Sequence, residues 1–157
     1  MKNELIKSGH AVGESNFHLQ FTPAYRRDIF RDEQVTELTL AYILEKLYEL
    51  KVVVRGYGFG PDHLHLFVSN VRFVSEVELV RQTKGYSSRM MRKNFWYLFK
   101  KKLWGKKFWT EGHFYRSVGA VNSETMKHYI EESQEKHWEK SSIVKVEVVS
   151  QKRIGDF

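Results

Sequence analysis

The chain has no cysteine and only two prolines, Pro23 and Pro61. Without thiols it can form neither a disulfide scaffold nor a thiolate zinc site, and a cytosolic address is expected. No apolar run exceeds a few residues, which excludes a transmembrane helix. Lys2, Glu4 and Lys7 interrupt the N-terminus, so no apolar signal stretch is expected there. No low-complexity linker or internal repeat divides the 157 residues, and a single domain is the simplest reading of that length. Hydrophobic residues at 41% and charged residues at 29% exclude wholesale disorder. A nucleotide-binding loop is also missing. Gly56, Gly58 and Gly60 are not followed by the Gly-Lys-Ser/Thr of a P-loop.

Acidic residues are missing from one place in particular. Between Leu79 and Thr110 there are ten Lys or Arg and no Asp or Glu, whereas the rest of the chain sums to −3. The whole net charge of +7 therefore comes from this window. Arg81, Lys84, Arg89, Arg92 and Lys93 alternate there with Tyr86, Phe95, Trp96 and Tyr97, and Trp104, Phe108 and Trp109 follow among further lysines. Cations neutralise phosphates and release counterions, and aromatic faces stack on unpaired bases, so the mixture suits single strands and hairpins. The plain alternative is a solvated helical face over an aromatic core. The aromatics do not segregate onto one face, as an interfacial membrane helix would need.

Periodicity gives a coarse order of elements. Phe17, Leu19 and Phe21 alternate with His18, Gln20 and Thr22, which predicts a strand with one buried face. Val35, Leu38, Tyr42, Leu47 and Leu50 recur near helical spacing from Asp32 to Leu50. Lys51 to Tyr57 reads as a strand broken by Gly56, Gly58, Gly60 and Pro61, and His63 to Ser69 as another. Ser75 is placed to cap a helix to about Asn94, Phe114 to Val118 is strand-like, and Ser123 is placed to cap a last helix to about Lys136. The order β-α-β-β-α-β-α suggests an α+β, ferredoxin-like (RRM-like) antiparallel sheet with helices packed on it. Residues 141–157, with Ile143, Val144, Val146, Val148 and Val149, are expected to form an extra strand or an exchanging arm.

The strand Asp62-His63-Leu64-His65-Leu66-Phe67-Val68 carries the most chemistry. Strand alternation puts His63, His65 and Phe67 on one face, with the imidazoles roughly 7 Å apart at Cα. Neutral rings at that spacing can converge on one cation if a third oxygen or nitrogen ligand joins them. Such a cation would neutralise charge on a phosphodiester. The bland alternative is two half-exposed histidines. In the last helix Met126, Tyr129 and Ile130 share a face, so Tyr129 reads either as a core aromatic or as a nucleophile needing activation.

Together these blocks resemble the small single-tyrosine transposases of the HUH class, and more narrowly the TnpA-type proteins of the two-hundred/six-hundred-five insertion-sequence family. The matching stretches are Phe17-His18-Leu19, Tyr25-Arg26-Arg27, Asp62-His63-Leu64-His65-Leu66, Lys84-Gly85-Tyr86-Ser87-Ser88-Arg89, Arg92-Lys93, Phe108-Trp109-Thr110-Glu111-Gly112 and His128-Tyr129-Ile130-Glu131. They stand in family order over about residues 10–138. The resemblance implies an HUH transposase domain over residues 1–140. It implies a divalent metal, Mg²⁺ or Mn²⁺, on His63 and His65, and Tyr129 as the group that attacks single-stranded DNA to give a 5′-phosphotyrosine link. It also implies a homodimer that recognises hairpin ends, with no nucleotide cofactor and no membrane, in a prokaryotic cytoplasm. Arg26, Arg27, Lys84, Arg89, Arg92 and Lys93 are the matching candidates for DNA contact. The basic window lies in sequence between the metal strand and the nucleophile helix, so it is expected to hold a DNA strand across the two.

One position departs from the pattern. The family commonly has a glutamine one turn after the tyrosine as third metal ligand, and here that position is Ser133. Gln134 restores the register if the helix carries a one-residue bulge, and Glu132 is the alternative from the tyrosine's own face. His18, on the polar side of its strand, is a further group that could approach the site.

Overall fold

A computed structural model of the protein describes residues 5–119, 122 and 124–128. Four strands form one antiparallel sheet: β3 (Asn16–Phe21), β4 (Val53–Gly60), β5 (His63–Ser69) and β6 (Phe114–Val118). They lie in the order β4-β5-β3-β6. With the two main helices, α1 (Glu33–Glu49) and α2 (Glu76–Phe99), this is the ferredoxin-like α+β arrangement the sequence suggests. An additional hairpin precedes it, β1 (Ile6–Ser8) paired with β2 (Ala11–Gly13), turning at Gly9 with φ 60°. Strands of three residues leave too little alternation for the sequence to signal them.

Both helices begin on a capping side chain, and Ser75 is the one the sequence places. The Asp32 carboxylate accepts from the Gln34 and Val35 amides at 2.9 and 3.2 Å, and the Ser75 hydroxyl accepts from Glu78 N–H at 3.1 Å. Val35, Thr39, Ile43 and Leu47 form the buried stripe of α1, and Leu79, Val80, Thr83, Ser87, Met91 and Phe99 that of α2. They pack with Leu19, Phe21, Leu64, Leu66 and Val68 into one core. Burying each large aliphatic side chain there is worth about 1.5–3 kcal/mol. None of the helices among the described residues is long and apolar enough to cross a membrane.

Three local expectations change. β4 does not break at its glycines but runs through Gly56 and Gly58 to Gly60, with an irregularity between Val54 and Gly56. Helix α2 passes Asn94 and ends at Phe99, with a non-helical φ of −135° at Phe95. At the last helix, helical over 124–128, the capping oxygen is one residue earlier than expected: Asn122 Oδ1 accepts from Thr125 N–H at 2.9 Å. Ser123, the rest of that helix and the tail 141–157 lie outside the described residues.

Candidate metal centre and its surroundings

Strand β5 is buried along its whole length. Leu64, Leu66 and Val68 enter the core under the helices. Alternation therefore turns His63, His65 and Phe67 to the opposite face of the sheet. The register explains how that face accommodates three rings. Gly60, Gly58 and Gly56 of β4 stand opposite His63, His65 and Phe67 respectively. At Gly60 the fit is tight: a Cβ there would lie 2.1 Å from His63 Cε1. Gly60, part of the glycine pattern that reads as a strand break, makes room for the His63 imidazole.

The rings of His63 and His65 are 4.9 Å apart between centroids, nearly edge to face. His63 Nδ1 is 3.0 Å from Asp62 Oδ1, and the other oxygen of Asp62 is 3.9 Å from Arg26 Nε. His65 Nδ1 is 2.9 Å from Nε2 of His18. In the β3–β5 register His18 pairs with Phe67 and Gln20 with His65, so the two histidines are diagonal neighbours on one face. His18 stacks on Phe67 at 4.5 Å and 9°, and Phe114 of β6 meets it edge-on at 5.5 Å. His18 and His65 are each 1% exposed. Burial, helped by the nearby Arg116 guanidinium, pushes His18 down to about 4. Burial first, then the charges of His63 and His18, holds His65 well below the usual histidine range. Both rings are therefore neutral at pH 7, the form in which imidazole binds metals.

His65 Nε2 is buried and has no hydrogen-bond partner among the described residues. An orphaned ring nitrogen beside a second imidazole fits a divalent cation, and the Asp62–His63 pair matches the way metal-bound histidines are usually held. Among the described residues no group of three or more His, Asp or Glu side chains is arranged to hold a metal. The centre thus offers two ligands from β5. Gln134, Glu132, Ser133 and the nucleophile candidate Tyr129 all lie outside the described residues.

The six candidate DNA-contacting cations separate. Arg26 alone connects to the histidine pair, through Asp62. It sits in a turn where Tyr25 and Arg26 both take left-handed backbone, φ 56° and 51°. Such strain costs on the order of 1–3 kcal/mol per residue and persists only where neighbours enforce it. Here Ala24 N–H donates to Phe108 O at 2.9 Å and Arg26 N–H to Pro23 O at 2.9 Å. Arg27 lies 5.0 Å over Trp104, which is exposed. The other four belong to α2, which packs on the opposite face from the histidines. The Lys84 ammonium donates to the carbonyls of Thr110, Glu111 and Gly112 at 2.6, 3.3 and 3.0 Å, and burial lowers its pKa. It anchors the loop before β6. Arg92 donates to the Lys107 carbonyl, Arg89 lies 5.8 Å over Tyr86, and Lys93 is exposed. The aromatics of the window divide likewise. Phe99, Phe108 and Trp109 are core, with Trp109 N–H donating to Ser87 Oγ at 2.9 Å, whereas Trp96, Tyr97 and Trp104 are exposed.

Comparison with known proteins gives the family and the fold. The family model described as "Transposase IS200 like" matches residues 11–133. The transposase for insertion sequence element IS200 of Salmonella typhimurium is 31% identical over 127 residues, covering 78% of this chain and 82% of the relative. The Salmonella typhi protein of the same description matches equally. Among solved structures, a candidate transposase from Deinococcus radiodurans R1 superposes with a TM-score of 0.64 at 22% identity, covering 82% of this chain and 97% of that one. A REP-associated tyrosine transposase bound to a REP hairpin gives a TM-score of 0.52 at 11% identity, covering 83% and 67%. These two share the fold. With the family match spanning most of its length, the chain belongs to the IS200-like transposase family.

Proposed function

We propose that this transposase cuts and rejoins single-stranded DNA at insertion-sequence ends, with Tyr129 as nucleophile and a divalent cation, Mg²⁺ or Mn²⁺, held by His63 and His65. The observation that carries the reading is the buried imidazole pair with centroids 4.9 Å apart, each Nδ1 engaged by a neighbour, in a chain of this family. Gln134 is the preferred third ligand and Glu132 the alternative. When bound, the cation neutralises charge on the scissile phosphate.

The Tyr129 oxygen loses its proton and forms a bond to the phosphorus. The bond from phosphorus to the 3′ oxygen breaks, and that oxygen takes up a proton and leaves as a 3′-OH. The DNA 5′ phosphate stays on the tyrosine. A 3′-OH later reverses the step, so phosphodiester bonds are conserved and no nucleotide is consumed. His63 and His65 would hold the cation, and Arg26, beside Asp62, and Arg116, beside His18, supply positive charge from the protein. Arg27, Arg89, Arg92 and Lys93 are proposed to hold flanking DNA, with Lys84 instead spent on the carbonyls of residues 110–112, and the active unit is a homodimer in the cytoplasm of a prokaryotic cell. The neighbour bound to a REP hairpin supports hairpin DNA as the recognised partner. It also favours a second reading, a domesticated nuclease that processes genomic hairpin repeats by the same chemistry. A non-catalytic single-strand-binding module on the sheet has less support: Phe67, the aromatic such a module would stack a base on, is 1% exposed and covered by His18.

The test is a denaturing gel after incubation with a single-stranded hairpin oligonucleotide and Mg²⁺. A covalent protein–DNA adduct that disappears in Tyr129→Phe is expected. An adduct that persists in that variant, or none with cognate ends, contradicts the proposal.

A further inference from the structure

The two histidines of β5 are oriented by different partners. His63 has a carboxylate, Asp62, at 3.0 Å from Nδ1. His65 has no carboxylate; its Nδ1 meets Nε2 of His18 at 2.9 Å. A neutral imidazole carries one ring hydrogen, so this contact holds its hydrogen on one of the two nitrogens. If His18 carried it, His65 Nε2 would be a buried N–H with no acceptor among the described residues, since that atom has no partner there. Orphaned buried donors are rarer in proteins than under-satisfied acceptors. If His65 Nδ1 carries it, His65 Nε2 is a bare lone pair.

We infer that His18 is a positioning residue: its Nε2 accepts the Nδ1 hydrogen of His65 and fixes the tautomer and ring angle that present His65 Nε2 to a divalent cation. His18 is itself held on both sides, by the Phe67 stack at 4.5 Å and the Phe114 edge at 5.5 Å. An aromatic clamp on a neutral imidazole thus does for His65 what the Asp62 carboxylate does for His63. The two supports differ in charge. Asp62 brings a negative group next to one ligand, whereas His18 orients the other ligand without adding a charge that would compete with a phosphate.

The inference rests on His63 and His65 as cation ligands, and the experiment separates the two. Long-range ¹H–¹⁵N spectra of the metal-free wild-type chain read the tautomer of His65 with no variant and no metal. The Nδ1–H form is expected; the Nε2–H form overturns the inference and leaves the ligand assignment standing. Mn²⁺ titration then compares His18→Phe, which keeps the stack but removes the acceptor, with His18→Gln, which supplies an amide oxygen. Affinity should fall about 10–100-fold in His18→Phe, the usual effect of losing a group that orients a metal-bound histidine. It should return to within a few-fold of wild type in His18→Gln. Equal affinity in His18→Phe and wild type overturns the inference. If wild type binds no Mn²⁺, the ligand assignment falls and the inference with it.

Discussion

One face of the four-stranded sheet carries Leu19, Phe21, Leu64, Leu66 and Val68 against two helices; the other carries His18, His63, His65 and Phe67. Both are buried, yet they are buried for different ends. The helix face of the sheet is filled by aliphatic and aromatic side chains, whose contacts are interchangeable within the limits of volume, with Thr39, Thr83 and Ser87 of the helices packed among them. The histidine face is organised by specific atoms: an Asp62 oxygen, a His18 nitrogen, and the missing Cβ of Gly60. One ring nitrogen, His65 Nε2, is left without a partner among the described residues. The difference teaches that β5 serves two masters residue by residue, stability on even positions and chemistry on odd ones.

That comparison can be broken from either side. The largest effect on stability is expected from Leu66→Ala, which empties a fully buried position on the helix face. It should cost about 2–5 kcal/mol in urea unfolding, with Mn²⁺ affinity of the folded fraction little changed. A stability loss well under that range would mean the helix face is not the structural one.

Acid should act on the other face. In the metal-free chain burial lowers His18 from 6.5 to about 4, and His65 moves in the same direction, beside the charges of Arg116 and His63. Between those pH values the unfolded chain binds a proton that the folded chain refuses. The contribution is therefore fully present above about pH 6.5 and is lost as pH falls toward 4; for His18 it is on the order of 3 kcal/mol. Unfolding measured at pH 7.5 and 4.5 should show a steeper loss in wild type than in His18→Phe. Parallel curves would contradict the burial of a neutral His18.

A third change targets position without charge. Gly60→Ala places a methyl 2.1 Å from His63 Cε1, and the ring must move off its Asp62 contact. Displacement of a positioning group by about 1 Å commonly costs about 100-fold in rate, so cleavage of the hairpin oligonucleotide should fall by about that factor. Wild-type cleavage in Gly60→Ala would mean that the His63 ring position does not matter.

The smallest effect is expected on the helix side. Lys84 spends its three hydrogen bonds on the carbonyls of residues 110–112. Lys84→Met should therefore leave the salt dependence of hairpin binding nearly unchanged, whereas loss of a residue that contacts phosphate lowers the slope by about one unit. A one-unit drop for Lys84→Met would make it a phosphate ligand.

Much of this was legible in the sequence because it is written in local periods. The alternation at Phe17–Phe21, the cap Ser75 and the His-Leu-His strand each depend on neighbours within a turn or two. The contact of His18 with His65 was only glimpsed, because it depends on register, a property of two strands 47 residues apart in the chain. The role of Gly56, Gly58 and Gly60 was misread for the same reason. Seen along one strand they are breakers; seen across the pair they stand opposite Phe67, His65 and His63. The basic window showed its charge but not its direction: α2 turns its apolar stripe to the core and its cations away from the histidine face. Lys84 likewise could be counted but not assigned, since its carbonyl partners lie 26 to 28 residues on.

The central claim is that the buried pair on β5 is a divalent-cation site. Pulsed EPR on the chain loaded with Mn²⁺ tests it directly, because ¹⁴N couplings count the imidazoles bound to the ion. The account predicts one tightly bound Mn²⁺ per chain coupled to two histidine nitrogens, one coupling in His63→Ala, and no tight binding in the His63→Ala/His65→Ala double variant. Tight binding retained by the double variant, or a bound ion with no nitrogen coupling in wild type, would contradict it.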